Sequence, residues 1–181
     1  MSSWAAVAKR IRVPLGFALA ILYLWLAHPR AWSLATGIAV AALGLMIRAV
    51  ASGHVRKNER LTTSGPYAHV RNPLYLGSAI TAAGFTVAAR SAWIALAMVL
   101  IFVFIYLPVI GSEEAFLRER FAEFGEYAQQ VPRLWPRWSA FSKFRESFSW
   151  ELYCKHREYN AFLGAALMIA ALAVKMLWFT N

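Results

Sequence analysis

Aspartate is absent from this 181-residue chain, and only nine glutamates stand against 19 lysines and arginines. Aspartate nucleophiles, aspartate-rich metal loops and Ser-His-Asp triads are thereby excluded. Cysteine is almost as scarce. Cys154 is alone, so neither an intrachain disulfide nor a cysteine-cluster metal site can form. The four histidines never fall at ligand spacing, and no metal site is expected. None of the ten glycines forms even a Gly-x-Gly, which removes the glycine-rich strand-to-helix turn of a Rossmann domain.

Charge is scarce too. Charged residues make up 15% of the chain and apolar residues 60%, with a mean hydropathy of +0.47. A soluble domain is nearer half apolar and a quarter charged. Five apolar runs follow one another: Val13 to Ala27, Ala31 to Ile47, Leu74 to Ala89, Ala92 to Ile110 and Ala161 to Thr180. A bilayer interior leaves unpaired backbone groups no partner, so each run is expected to be a helix. The fold class is therefore an all-α, polytopic membrane protein with about five transmembrane helices. The first and third runs fall a little short of a full span, but Trp, Tyr and Arg at their ends can sit among headgroups. Lys9, Arg10 and Arg12 precede the first run much as in a signal peptide. His28-Pro29-Arg30 is a poor cleavage context, so an uncleaved anchor is expected. That tripeptide and Arg90-Ser91 read as tight turns closing two helical hairpins.

The basic residues cluster before the first run, between the second and third, and between the fourth and fifth; only Arg30, Arg90 and Lys175 fall toward the other side. The positive-inside rule then puts the N-terminus and both long loops in the cytoplasm and the C-terminus outside. The nine glutamates, His54, His69 and His156 share that cytoplasmic face. A net charge of +10 is explained by topology and attraction to anionic membrane lipids. No nucleic-acid-binding fold is legible, and nucleic acid is not an expected partner. One membrane domain covers 1–181: an N-terminal hairpin (1–53), a motif-bearing core (54–136), and an interfacial segment with the last helix (137–181). From Ser139 to Trp150 the chain is aromatic and basic, which predicts an amphipathic helix on the bilayer surface.

The first loop reads Ser-Gly-Pro-Tyr-Ala-His-Val-Arg-Asn-Pro-Leu-Tyr-Leu-Gly over residues 64 to 77. Gly65-Pro66 makes a turn, and Asn72 with Pro73 is a natural helix start. Turn chemistry does not explain why Tyr67, His69 and Arg71 crowd the same few residues. A helix N-terminus beside an arginine is also a ready site for carboxylate or phosphate. The second loop opens with Glu113-Glu114. Glu114 has Arg118 four residues on, which a helical salt bridge would explain. Glu113 has only Leu117 there. Val131-Pro132-Arg133-Leu134-Trp135-Pro136 reads as an extended segment bearing one arginine.

Gly-Pro-Tyr-x-x-x-Arg-Asn-Pro-x-Tyr-x-Gly, then Glu-Glu-x-x-Leu about 36 residues after Gly77, then a Tyr followed by Val-Pro-Arg, resembles the isoprenylcysteine carboxyl methyltransferase family. That family is related to the phospholipid N-methyltransferases. The likeness covers roughly His54 to Pro136. It implies binding of S-adenosylmethionine beneath the membrane surface, with S-adenosylhomocysteine as product, beside a tunnel for a lipid or prenylated substrate. By the same resemblance Pro66, Tyr67, Arg71, Asn72, Pro73, Tyr75, Glu113 and Glu114 lie about the cofactor. The resemblance puts Tyr127 and Arg133 near the reacting end of the substrate, and Glu113 is a further catalytic candidate, with Glu114 or His54 as alternatives should a base be needed. Many relatives carry His where this chain has Asn72, which cannot titrate and so has no acid–base role. His54 could complete the pocket with Lys57 and Asn58, or simply cap the second helix. Arg48 has no place in the motif, and Arg157-Glu158 opens the last helix and reads as making structural or headgroup contacts.

The residue chemistry agrees with that implication. Aromatic faces hold a sulfonium cation, Glu takes an amino group or ribose hydroxyls, and Arg takes a carboxylate. An arginine at position 133 favours a lipidic carboxylate as acceptor, already ionised at neutral pH. An amine such as phosphatidylethanolamine must first lose a proton to a base.

Overall fold

The computed structural model describes residues 3–56, 59–141 and 146–179. Among these every regular element is helical. The main helices are α1 (Ser3–Leu26), α2 (Ala31–Ser52), α3 (Pro73–Ala89), α4 (Ala92–Arg120) and α7 (Tyr159–Phe179), with short α5 (Phe124–Gln130) and α6 (Trp150–Lys155) between the last two. Three of them, α2, α4 and α7, are long and apolar enough to cross a membrane; the apolar parts of α1 and α3 are shorter. Large apolar side chains such as Phe17, Ile21, Trp25 and Leu167 are exposed, which suits a chain bathed in lipid rather than water.

Glycine and alanine bring α2 and α3 together. A Cβ on Gly37 would lie 2.6 Å from the carbonyl oxygen of Gly84, and one on Gly84 the same distance from that of Gly37. Gly44 and Gly77 repeat the arrangement one step along. Helices in lipid gain little from hydrophobic exclusion, so such backbone approach supplies the packing that holds them. The two expected turns are present. Arg90 closes α3 in the left-handed conformation (φ 52°), and His28 N–H donates to Ala89 O at 2.8 Å. At this end Tyr23, Ala27, Leu34, Ala88, Ala89, Ile94 and Leu172 form a buried cluster. Lys175 Nζ donates to the terminal carbonyls of α1, Leu24 O at 2.6 Å and Trp25 O at 2.9 Å.

At the other end Arg48 is no bystander. Its Nε donates to Glu158 at 2.6 Å, and Nη1 bonds Ser78 and, at 3.4 Å, Leu74 O. One guanidinium thus ties α2 to the start of α7 and to the first turns of α3. Glu158 indeed has a structural role.

Helix α4 differs most from expectation. It continues ten residues past Ile110 to Arg120, so Glu113 and Glu114 sit on a helix. Residues 102–106 form a π turn. The cause is Pro108, which has no N–H to offer Phe104 O in the regular pattern. The indole of Trp4 on α1 donates to that carbonyl at 2.9 Å. The amphipathic helix expected from Ser139 to Trp150 is not formed by the described part of that stretch. Residues 139–141 and 146–149 are non-helical, and helix starts only at Trp150. Lys143 and Arg145 lie outside the described residues, as do Lys57 and Asn58.

Candidate functional site

Three motif residues from the two loops, Arg71, Asn72 and Arg133, meet at Glu114. This carboxylate is buried, at 7% exposure. It does not pair with Arg118, whose guanidinium instead lies over the Phe124 ring at 5.7 Å. Its Oε2 accepts Nε of Arg133 at 3.0 Å and Nη2 at 2.6 Å. Its Oε1 accepts the Asn72 amide at 2.8 Å and lies 3.6 Å from Nε of Arg71. Asn72 is the N-cap residue of α3 but makes no capping bond; its side chain serves Glu114 and the Arg133 carbonyl instead. Pro73 occupies the first helical position and is buried, which suits its fixed φ and missing N–H.

Backbone bonds fasten the same two loops. Arg71 N–H donates to Pro132 O at 2.9 Å, Arg137 N–H to His69 O at 3.0 Å, and Phe141 N–H to Ala68 O at 2.9 Å. His69 Nδ1 meets Arg137 O at 2.9 Å, so this histidine belongs to the loop junction. Pro66 opens a short 3-10 turn, Gly65–Ala68. Gly65 has φ +56°, and a Cβ there would run into the His54 ring, so glycine is required twice over. His54 is buried, with Nδ1 2.7 Å from Val50 O. The structure therefore shows it capping α2 and backing the turn.

Glu113, the next residue on α4, accepts the Tyr75 hydroxyl at 2.9 Å. Tyr75 in turn meets Tyr106 edge-on, with centroids 5.9 Å apart. Tyr106 lines an apolar cleft of about 510 Å³ between α1, α3 and α4, along with Leu15, Ala82, Met98, Phe102 and Ile105. That volume lies in the range of small-ligand sites. A neighbouring cleft of about 350 Å³ reaches toward α2 and α7 and shares Leu19, Ser78, Ala82 and Met98 with the first. Glu113 is thus linked to this apolar space through Tyr75 and then Tyr106.

Two tyrosines sit behind this surface. The Tyr127 hydroxyl donates to Tyr67 O at 2.8 Å, and both residues are buried. Burial pushes both phenols far above their ordinary range. Tyr127, Glu113 and Glu158 push Tyr67 further, while the Arg71 guanidinium acts against the rise at Tyr127. Neither phenol serves as a base near neutral pH. Tyr127 was expected at the reacting end. Its ring is instead packed with Phe124 and Val131 and its hydroxyl is committed within the chain. Arg133 does reach the site, half exposed, but with two of its donors on Glu114.

Among the described residues three buried polar atoms here lack a hydrogen-bond partner: Arg71 Nε, Ser64 Oγ and Ser112 Oγ. Such atoms are few in folded proteins, and a bound molecule is one thing that satisfies them. Ser64 directly precedes the 3-10 turn and Ser112 directly precedes Glu113. Neither stands out in the sequence, since a lone serine beside a motif has no spacing to mark it.

A phospholipid methyltransferase family model matches residues 11–123, more than half of the chain. The cobalt-zinc-cadmium resistance protein CzcN of Cupriavidus metallidurans is 32% identical over 139 residues, covering 74% of this chain and 62% of that protein. The nickel-cobalt-cadmium resistance protein NccN of Alcaligenes xylosoxydans xylosoxydans is 36% identical over 106 residues, 58% of this chain and 49% of that protein. The chain thus matches between about half and three fifths of the length of these curated relatives. No solved structure matches it. The family match takes in the 3-10 turn, the start of α3 and both adjacent glutamates, and on that match the chain belongs to the phospholipid methyltransferase family.

Proposed function

We propose that this protein transfers a methyl group from S-adenosylmethionine to a membrane-borne amphiphile, at the cytoplasmic surface of a five-span bundle. The observation that carries the reading is the junction of Arg71, Asn72, Arg133 and Glu114, next to Glu113, which connects through Tyr75 and Tyr106 to an apolar cleft. The donor set fits the cofactor. Arg71, with a buried Nε lacking a hydrogen-bond partner, suits its carboxylate; Glu113, Ser64 and Ser112 suit its amino and hydroxyl groups; Tyr75 and Tyr106 supply aromatic faces for a cation. When bound, it supplies a methyl group already activated by positive sulfur. The chain contributes binding, alignment and exclusion of water.

For the acceptor we favour a lipidic carboxylate such as an isoprenylcysteine. Two guanidiniums face one carboxylate at the junction, and the excess positive charge attracts an anion. Its tail has the clefts to occupy. Phospholipid N-methylation is the second reading, favoured by Glu113 on the Tyr75 hydroxyl, a carboxylate that can take a proton from an ammonium head. The relatives' names concern resistance to cobalt, zinc, cadmium and nickel. Among the described residues no three His, Cys, Asp or Glu side chains gather as donors for a metal ion. We therefore link any such role here to a modified membrane lipid.

Purified protein with radiolabelled S-adenosylmethionine should label a farnesylcysteine analogue as an ester that releases volatile methanol in base. Base-stable label on phosphatidylethanolamine liposomes alone would establish the second reading. Saturating cofactor at 100 times its dissociation constant should stabilise the protein by roughly 2.7 kcal/mol. No thermal shift with it or its product would reject both readings. Orientation is tested separately, in a Cys154→Ser background. Ser91→Cys should react with an impermeant thiol reagent on intact cells and Ser139→Cys should not; the reverse would invert the topology.

A further inference from the structure

The segment from Val131 to Phe141 crosses the junction without forming a helix. Its ends are held inside: Val131 is 1% exposed and Phe141 packs on Tyr127 with centroids 5.4 Å apart. Its middle is bonded to the first motif loop through Pro132, Arg133 and Arg137. Yet Trp135 is 84% exposed and Trp138 fully exposed. The backbone is thus held down while the two largest side chains are turned away from the protein. Pro132 and Pro136 restrict the backbone around them.

Height decides what these indoles meet. Glu114 lies 22 residues from Ala92, so about 33 Å along α4, close to the ~30 Å hydrocarbon thickness of a bilayer. Arg133 is bonded to Glu114, and Trp135 follows two residues later. Both indoles therefore fall near the headgroup layer, where Trp is most at home. At this edge Arg118, Arg120 and Arg137 are matched in number by Glu119, Glu123 and Glu126, but the side of the chain on which the strap lies carries 16 of the 19 lysines and arginines against the nine glutamates, complementary to an anionic leaflet.

We infer that residues 131–141 form a strap held onto the site by the membrane itself, with Trp135 and Trp138 inserted among the headgroups of an anionic bilayer. Insertion keeps the strap seated on residues 66–72 and sets the mouth of the site at the depth of an amphiphile's head. The inference rests on the proposed membrane placement and needs no methyl transfer to be tested.

The test uses Trp138→Cys in a Cys154→Ser background, labelled with an environment-sensitive NBD fluorophore and placed in phosphatidylcholine nanodiscs with or without phosphatidylglycerol. Blue-shifted emission, quenched by headgroup-level spin-labelled lipid and strengthened by phosphatidylglycerol, is the expected result. Water-like emission, quenched by iodide alone, would overturn the inference, and so would indifference to phosphatidylglycerol. A second measurement uses Trp135→Ala/Trp138→Ala with unlabelled protein. KM for a vesicle-borne acceptor should rise about tenfold, with cofactor affinity unchanged. An unchanged KM would remove the strap's part in catalysis.

Discussion

Glu114→Ala will abolish methyl transfer and also lower the thermal midpoint. Removing this carboxylate leaves the Arg71 guanidinium, whose side chain is only 14% exposed, without an anion, and it strands the Asn72 amide. Breaking a buried pair from one side costs about 3–5 kcal/mol. Arg133 adds little, since its side chain is 48% exposed and water can take over. The neighbouring Glu113→Ala should behave differently. Glu113 accepts one phenol bond and holds no loops together. Its removal should leave the midpoint nearly unchanged but weaken cofactor binding roughly 10- to 150-fold, the worth of one charge-assisted hydrogen bond. Calorimetric titration with S-adenosylhomocysteine and a melt in the same detergent separate the two. Equal midpoints for the two variants would show that Glu114 does not join the loops.

Arg48→Ala gives the second large effect, with the opposite signature. Glu158 is 8% exposed, and without Arg48 it becomes an unpaired buried carboxylate. About 3 kcal/mol of stability should be lost, the lower end for a broken buried pair because the Arg48 side chain is 25% exposed. The cofactor affinity of the protein that remains folded should stay close to wild type. Glu158→Gln should cost less, and Arg48→Ala combined with Glu158→Ala should cost less than the sum of the single alanine variants. Additive losses would mean that the 2.6 Å contact contributes nothing.

Hydropathy located the five long helices because lipid exposure and helix length leave a plain trace in sequence. The two tight turns were legible for the same reason. What hydropathy cannot carry is which faces meet. Gly37, Gly44, Gly77 and Gly84 read as ordinary apolar-run residues, yet they set the contact between α2 and α3. The site was legible as a set of residues and illegible as a set of partners. Spacing offered Glu114 to Arg118, but the chain turns back after Phe121 and delivers Arg133 from 19 positions away. That tertiary pair has two hydrogen bonds and burial in its favour, whereas an exposed i,i+4 pair is worth only a few tenths of a kcal/mol. The partner of Tyr127 was equally illegible, because an aromatic hydroxyl between two motifs gives no sign of whether it faces a cleft or a neighbouring carbonyl.

The π turn of α4 acts as a phase shifter. A regular helix advances about 100° per residue, so a turn that takes in one extra residue rotates everything beyond it by about one such step. Ala95, Met98 and Val99 before the turn line the cleft, while Glu113 and Glu114 lie beyond it in the shifted phase. Their aim at Tyr75 and Arg133 is thus tied to Pro108, five and six residues earlier, and to the Trp4 indole that occupies the released carbonyl. Two chains with the same hydropathy profile, one with Pro at 108 and one without, would show their neighbours different sides of the same helix.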